Sequence, residues 1–174
     1  MVYTKGFHPH EQLSFGPPTA VGMASLEEYI DMVLQGEPDI DDLVARLNEV
    51  LPVGIRISGG RCLSEGDPSI GKSVVACTYL CDCEAWQTDR SELTRVLNEF
   101  SKLATLEVSS KRGVRTIDMS RLSDLEVEEV SGRLNFRFTS PTDVGPAAIV
   151  RGVAQRLAKD PLEVLVTRVR QVSL

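Results

Sequence analysis

The sequence predicts an α+β fold. Three observations predict it: apolar stripes of helical period, apolar runs that alternate with period two, and the order in which helices and strands follow each other. The first strand signal is Ile30, Met32 and Leu34, which point one way while Asp31 and Gln35 point the other. A helix follows, with Ile40, Leu43, Val44, Leu47, Val50 and Leu51 at i, i+3, i+4 spacing. Asp39 is placed to cap it, Asp42 faces its positive end, and Pro52 and Gly54 stop it. Ile55 to Ser58 reads as the next strand.

A Gly-, Pro- and Ser-rich stretch, Ser64 to Lys72, then interrupts the pattern and reads as a linker. Beyond it, Val74 to Ala85 alternates as a long strand. Leu93, Val96, Leu97, Phe100, Leu103 and Ala104 form a second helical stripe, with Asp89 and Glu92 at capping-box spacing. Leu106 to Ser109 reads as a strand, and Leu134, Phe136 and Phe138 alternate with Asn135, Arg137 and Thr139 as another. Ile149, Val150, Val153 and Leu157 make the third helix, with Pro146 suited to its first position. Val164 to Val172 closes the chain as a strand.

From about Ser73 this order is strand, helix, strand, strand, helix, strand, which is the split βαβ or ferredoxin-like arrangement. The earlier part reads as the same unit without its first strand and helix. The expected division is therefore an incomplete unit over 1–68 and a complete one over 69–174.

Composition narrows the function classes. The chain has 174 residues, 42 % of them hydrophobic, 25 % charged and only 5 % aromatic, so its core must rest on Val, Leu, Ile and Ala. Lys and Arg number 19 and Asp and Glu 25, a net charge of −6 that excludes a strongly basic nucleic-acid clamp. No apolar run approaches the roughly 20 residues of a membrane span, and Met1 to His10 lacks a secretory h-region. Three of the four cysteines crowd into Cys77, Cys81 and Cys83, with Cys62 apart, unlike a spread disulfide framework. A cytoplasmic protein with reduced thiols is expected.

The N-terminus carries the most specific pattern. Tyr3, Gly6, Phe7, His8, Pro9, His10, Leu13, Ser14 and Phe15 read Y-x-x-G-F-H-P-H-x-x-L-S-F. Gly22, Ser25, Glu28 and Tyr29 follow as G-x-x-S-x-x-E-Y, and Leu47, Asn48, Leu51, Pro52 and Gly54 as L-N-x-x-L-P-x-G. This ordered set resembles the radical-SAM-linked (radical-SAM-associated) family, a bacterial domain of unknown function. The likeness is specific over Tyr3 to Ile57; farther on, Lys111, Arg112, Gly113, Arg115 and Ile117-Asp118 resemble a basic, then Ile-Asp, segment of that family. The resemblance implies a companion of a cobalamin-binding radical SAM protein, fused to it or encoded beside it, often near a ribonuclease of the E/G type. It brings no established catalytic residue. It also implies a further strand and helix before the motif, so we expect either another copy of the chain to complete the first sheet or a rearranged first half.

Four clusters are candidates for chemistry. Gly66, Gly71, Lys72 and Ser73 match G-x-x-x-x-G-K-S, but that loop needs a strand before it and a helix after it, and here a strand-like run follows. It reads as linker. Cys77, Cys81 and Cys83 read C-x-x-x-C-x-C, one residue short of a radical SAM cluster motif. On a strand they share one face as small hydrophobes rather than surround an ion. His8 and His10, the only histidines, would share a face of an extended segment and are candidate metal ligands. With Tyr3, Gly6, Phe7, Pro9, Ser14, Glu28 and Tyr29 they form the expected partner or substrate surface. Finally Lys111, Arg112, Arg115 and Arg121 form a basic stretch that Arg137 beside Arg168 would extend, a surface for RNA or an acidic partner. No catalytic triad, carboxylate pair or dinucleotide fingerprint stands out, which argues against an enzyme. The leading expectation is a non-catalytic accessory domain without a cofactor; an RNA-binding module and a metal protein built on His8 and His10 are the alternatives.

Overall fold

The computed structural model describes residues 1–5, 7–110 and 113–173 and shows an α+β architecture. The chain clusters into two compact units, Met1–Gly16 with Tyr29–Lys72 and Pro17–Glu28 with Ser73 onward.

The second unit is built on one sheet. Strands β4 (Val74–Asp82), β7 (Ser123–Val130), β8 (Arg133–Pro141) and β9 (Leu165–Ser173) lie in the order β9-β4-β8-β7, every neighbour antiparallel. The two-residue strand β2 (Ala24–Ser25) adds to the free side of β9 in parallel. Helices α3 (Arg90–Ser101) and α4 (Pro146–Leu157) start at the expected signals: the Asp89 carboxylate accepts from the Glu92 amide at 2.8 Å, and Pro146 occupies the first turn. Their stripes supply much of the core, with Leu93, Phe100, Ile149 and Val153 fully buried. The sheet supplies Cys77, Cys81, Phe136 and Phe138, also fully buried. Trp86 stacks on Phe136 and donates its indole N–H to the Asp160 carbonyl at 2.8 Å, so its polar edge is satisfied inside the core.

Two expectations for this unit are corrected. Leu106 to Ser109 does not join the main sheet. It lies in β5 (Thr105–Ser110), which pairs with β6 (Gly113–Asp118) as a separate two-stranded sheet. The sheet position beside β8 belongs to β7, joined to it through Ser131 and Gly132, both with positive φ (53° and 77°). That backbone is the one a tight two-residue hairpin requires. The long strand also ends earlier than Ala85, because Glu84 to Trp86 form a 3₁₀ turn.

The first unit has less regular structure. Strands β1 (Leu13–Phe15) and β3 (Ile30–Met32) pair antiparallel, with Leu13 opposite Met32 and Phe15 opposite Ile30. Helix α1 (Ile40–Val50) begins at Asp39, whose side chain accepts from the Asp42 amide at 3.0 Å, and ends before Pro52. The expected strand at Ile55 to Ser58 is absent. Instead the Asn48 amide side chain donates to the Ile57 carbonyl at 2.9 Å and accepts from the Ile57 N–H at 2.8 Å. One side chain thus makes the pair of bonds that a neighbouring strand would otherwise supply. In this part of the chain α1 follows a two-stranded ribbon, and β2 belongs to the other sheet.

The G-x-x-x-x-G-K-S residues end in a four-residue helix α2 (Ile70–Ser73) that runs directly into β4, so the strand-loop-helix order of a phosphate loop does not occur. Among the described residues no helix is long and apolar enough to cross a membrane.

Candidate functional site

The N-terminal motif forms an exposed hairpin. Tyr3 and Glu11 bridge in antiparallel fashion, the Thr4 N–H donates to the His10 carbonyl at 2.7 Å, and the His10 N–H donates to Thr4 Oγ1 at 3.0 Å. The Val2 and Val33 amides and the Gln12 carbonyl tie this hairpin to the end of β3. At its turn Phe7 is fully exposed (101 %), and His8, Pro9 and His10 are exposed beside it. Gly6 lies outside the described residues. The backbone therefore spends the motif's hydrogen bonds on holding the turn, and the rings are left facing solvent. Among the described residues, no group of three or more His, Cys, Asp or Glu side chains is arranged to hold a metal ion.

The rest of the motif divides. Ser14 is half-buried on the ribbon, whereas Tyr29 is exposed. Ser25 and Glu28 belong to the second unit and converge on Arg168, a buried arginine (1 % exposed) on β9. Arg168 donates from Nη1 to the Pro17 carbonyl at 2.6 Å, from Nη2 to Thr19 Oγ1 at 2.5 Å, and from Nε to Ser25 Oγ at 3.3 Å. It also donates to Glu28 Oε1, which accepts from Thr19 Oγ1 at 2.6 Å. Burial pushes the Glu28 carboxyl up, but the hydrogen bonds from Thr19, Ser25 and Arg168 outweigh it and hold the group below its ordinary value. Three bonds later, the Gln171 N–H donates to Glu27 Oε2 at 2.5 Å and its side-chain amide to the Glu27 carbonyl at 2.8 Å. Glu28, which the family motif placed on the expected partner surface, is half exposed and also anchors a strap. The same geometry corrects Arg168, expected beside Arg137 as an extension of the basic patch. It pairs with Tyr79 across the ladder and is consumed by the strap.

Of the basic stretch, the two described residues, Arg115 and Arg121, share one carboxylate, Asp143. Arg121 forms a bidentate pair with Asp143 (2.7 and 3.0 Å), and Arg115 donates to the Asp143 carbonyl at 2.8 Å. Hydrogen bonding to Arg121 holds the Asp143 carboxyl low. Arg137 faces Glu126 and Glu128, and Arg133 faces Asp82 and Glu84. Lys111 and Arg112 lie outside the described residues. Cys77 and Cys81 are buried on one face of β4, and Cys83 is buried just past its end. Burial pushes the Cys81 thiol well up and that of Cys83 to about 12, which makes both poor nucleophiles.

Fold and site together define an α+β protein with an exposed N-terminal hairpin. The chain belongs to the DUF2344 family, described as an uncharacterized protein conserved in bacteria, whose model matches residues 1–151. No curated protein and no solved structure matches it.

Proposed function

We propose that the chain is a non-catalytic accessory domain that works in the cytoplasm by docking a partner protein. The partner it resembles a companion of is a cobalamin-binding radical SAM enzyme, and docking that enzyme or presenting its substrate is the role. In this reading the second unit is a ferredoxin-like scaffold and the residues up to 68 carry the recognition elements. The observation that supports it is the hairpin: backbone pairing holds Tyr3, Thr4 and His10, and the rings of Tyr3, Phe7, His8 and His10 are exposed. Conserving backbone order under exposed aromatic and imidazole groups suits recognition of another surface. A protein partner is preferred to RNA because the described part of the basic stretch, Arg115 and Arg121, already contacts Asp143 and the chain as a whole is acidic. The test is a pull-down of the purified chain with the purified radical SAM protein encoded beside it, with stoichiometry measured by light scattering. A defined complex weakened by Phe7→Ala and His10→Ala is expected. Absence of any complex, with nucleic acid co-purifying instead, would replace this reading by an RNA-binding one.

A further inference from the structure

We propose that the outward face of the β1–β3 ribbon is the seat for an amphipathic helix of a partner protein, with Lys or Arg along its polar edges. The inference rests on the accessory-domain reading and names its contact surface. Residues that pair across an antiparallel ladder share a face, so Leu13, Phe15, Ile30 and Met32 lie on one side and Ser14 and Asp31 on the other. The polar side is the covered one. Asp31 accepts from the Ile70 N–H at 2.6 Å, and Ser14 and Asp31 are both half-buried. The apolar side is open over three of its four residues, with Phe15 66 % exposed, Ile30 40 % and Leu13 38 %, and Met32 half-buried. Tyr29 and Val33, next to β3 in sequence, are exposed as well. A soluble ribbon ordinarily buries its apolar face and solvates its polar one. This ribbon leaves Leu13, Phe15 and Ile30 open while Ser14 and Asp31 are half-buried, and a two-stranded ribbon is barely stable without a covering layer.

A helix laid across the face supplies that layer, as helix on sheet. Charge selects which helix. The first unit holds nine carboxylates and five Lys or Arg side chains, a net charge of −4. The end of the ribbon where Leu13 meets Met32 continues to Glu11 on one strand. On the other it continues to Glu37, which five residues of chain keep within about 18 Å of Met32. Lys5 is the one Lys or Arg among the first sixteen residues. A second copy of the chain would bring like charges together, so a basic-edged partner is favoured over self-association.

The test uses the isotope-labelled full chain and two synthetic amphipathic helical peptides, one of Leu and Lys, the other of Leu and Glu. The Leu–Lys peptide should shift the amides of Leu13, Phe15, Ile30 and Met32. It should bind about tenfold tighter than the Leu–Glu peptide, an advantage that raised salt removes. Phe15→Glu should lower its affinity about tenfold while the amide spectrum of β4, β8 and β9 stays intact; the milder Phe15→Ser serves if the ribbon itself unfolds. Shifts confined to other residues, equal affinity for both peptides, or unchanged binding by the Phe15 variants would overturn the proposal. If the peptide binds this face and the radical SAM protein does not bind at all, the surface stands and the partner reading falls. If the enzyme binds and the Phe15 variants bind it equally, the surface falls and the partner reading stands.

Discussion

Arg168 carries its charge into a region that excludes water, and four acceptors from the strap Pro17–Glu28 meet it there. Glu28 is the only charged one of the four, so Glu28→Gln keeps the shape but strips the ion pair from a buried guanidinium. Hydrogen bonds to charged groups are worth about 1.5–3 kcal/mol, and Glu28 is half exposed, so a loss near 1 kcal/mol is expected in urea unfolding. The sign with pH follows from the lowered carboxyl. Its contribution is complete above the ordinary value of 4.5 and disappears as pH falls through the lower folded value. Stability curves of the wild type and Glu28→Gln should therefore differ at neutral pH and converge in acid; a gap that persists in acid would refute the ion pair's role. Thiol reactivity separates the cysteines at the same scale. Exposed Cys62 should react with a thiol reagent in the native protein, and Cys77, Cys81 and Cys83 only after denaturation. The burial of Cys77 and Cys81 was legible in the sequence, because period two puts them on one face. The strap was not: Ser25 lies 143 and Glu28 140 residues from Arg168, and no local period links them.

Between elements, Gly152 of α4 faces Phe100 of α3. A Cβ there would lie 2.8 Å from Phe100 Cε2 and 3.2 Å from Leu106 Cδ2, and the Phe100 ring is fully buried. Gly152→Ala gains about 1 kcal/mol of helix propensity and loses about 1–3 kcal/mol to overpacking. A net destabilisation is expected, and it should shrink in a Phe100→Leu background, where the ring's edge is gone. A Gly152→Ala protein as stable as wild type in denaturant melts would show that the ring can yield. Elements such as α3, α4, β4 and β8 were legible because each carries its own apolar period and its own cap. β7 was not, because Asp124, Glu126, Glu128 and Glu129 dominate its composition and only Leu125 and Val127 mark its inner face. The Ser131-Gly132 turn was the available signal. The absent strand at 55–58 fails for a different reason: the segment is apolar enough, but Asn48 satisfies Ile57 before any strand can.

At the scale of the whole molecule the two units differ in kind. Every buried side chain among the described residues lies in 74–173, and none lies in 1–73. Full burial of one Leu, Ile or Phe contributes about 1.5–3 kcal/mol, so the second unit holds nearly all of the hydrophobic stabilisation and the first relies on partial burial and turn hydrogen bonds. The opening free energies should differ accordingly. In native-state hydrogen exchange, amides of β1, β3 and α1 should exchange at least about a hundredfold faster than those of β4, β8 and β9, a difference of about 3 kcal/mol in opening. Denaturant should then reveal a first transition that leaves the β9-β4-β8-β7 sheet intact. A partner that covers the ribbon raises the opening cost of β1 and β3 by mass action, so adding it should slow exchange at Leu13, Phe15, Ile30 and Met32 before it slows α1. Uniform exchange across both units would mean that the first unit is stabilised through the second, and that its exposed apolar face is not the weak point this distribution of burial makes it.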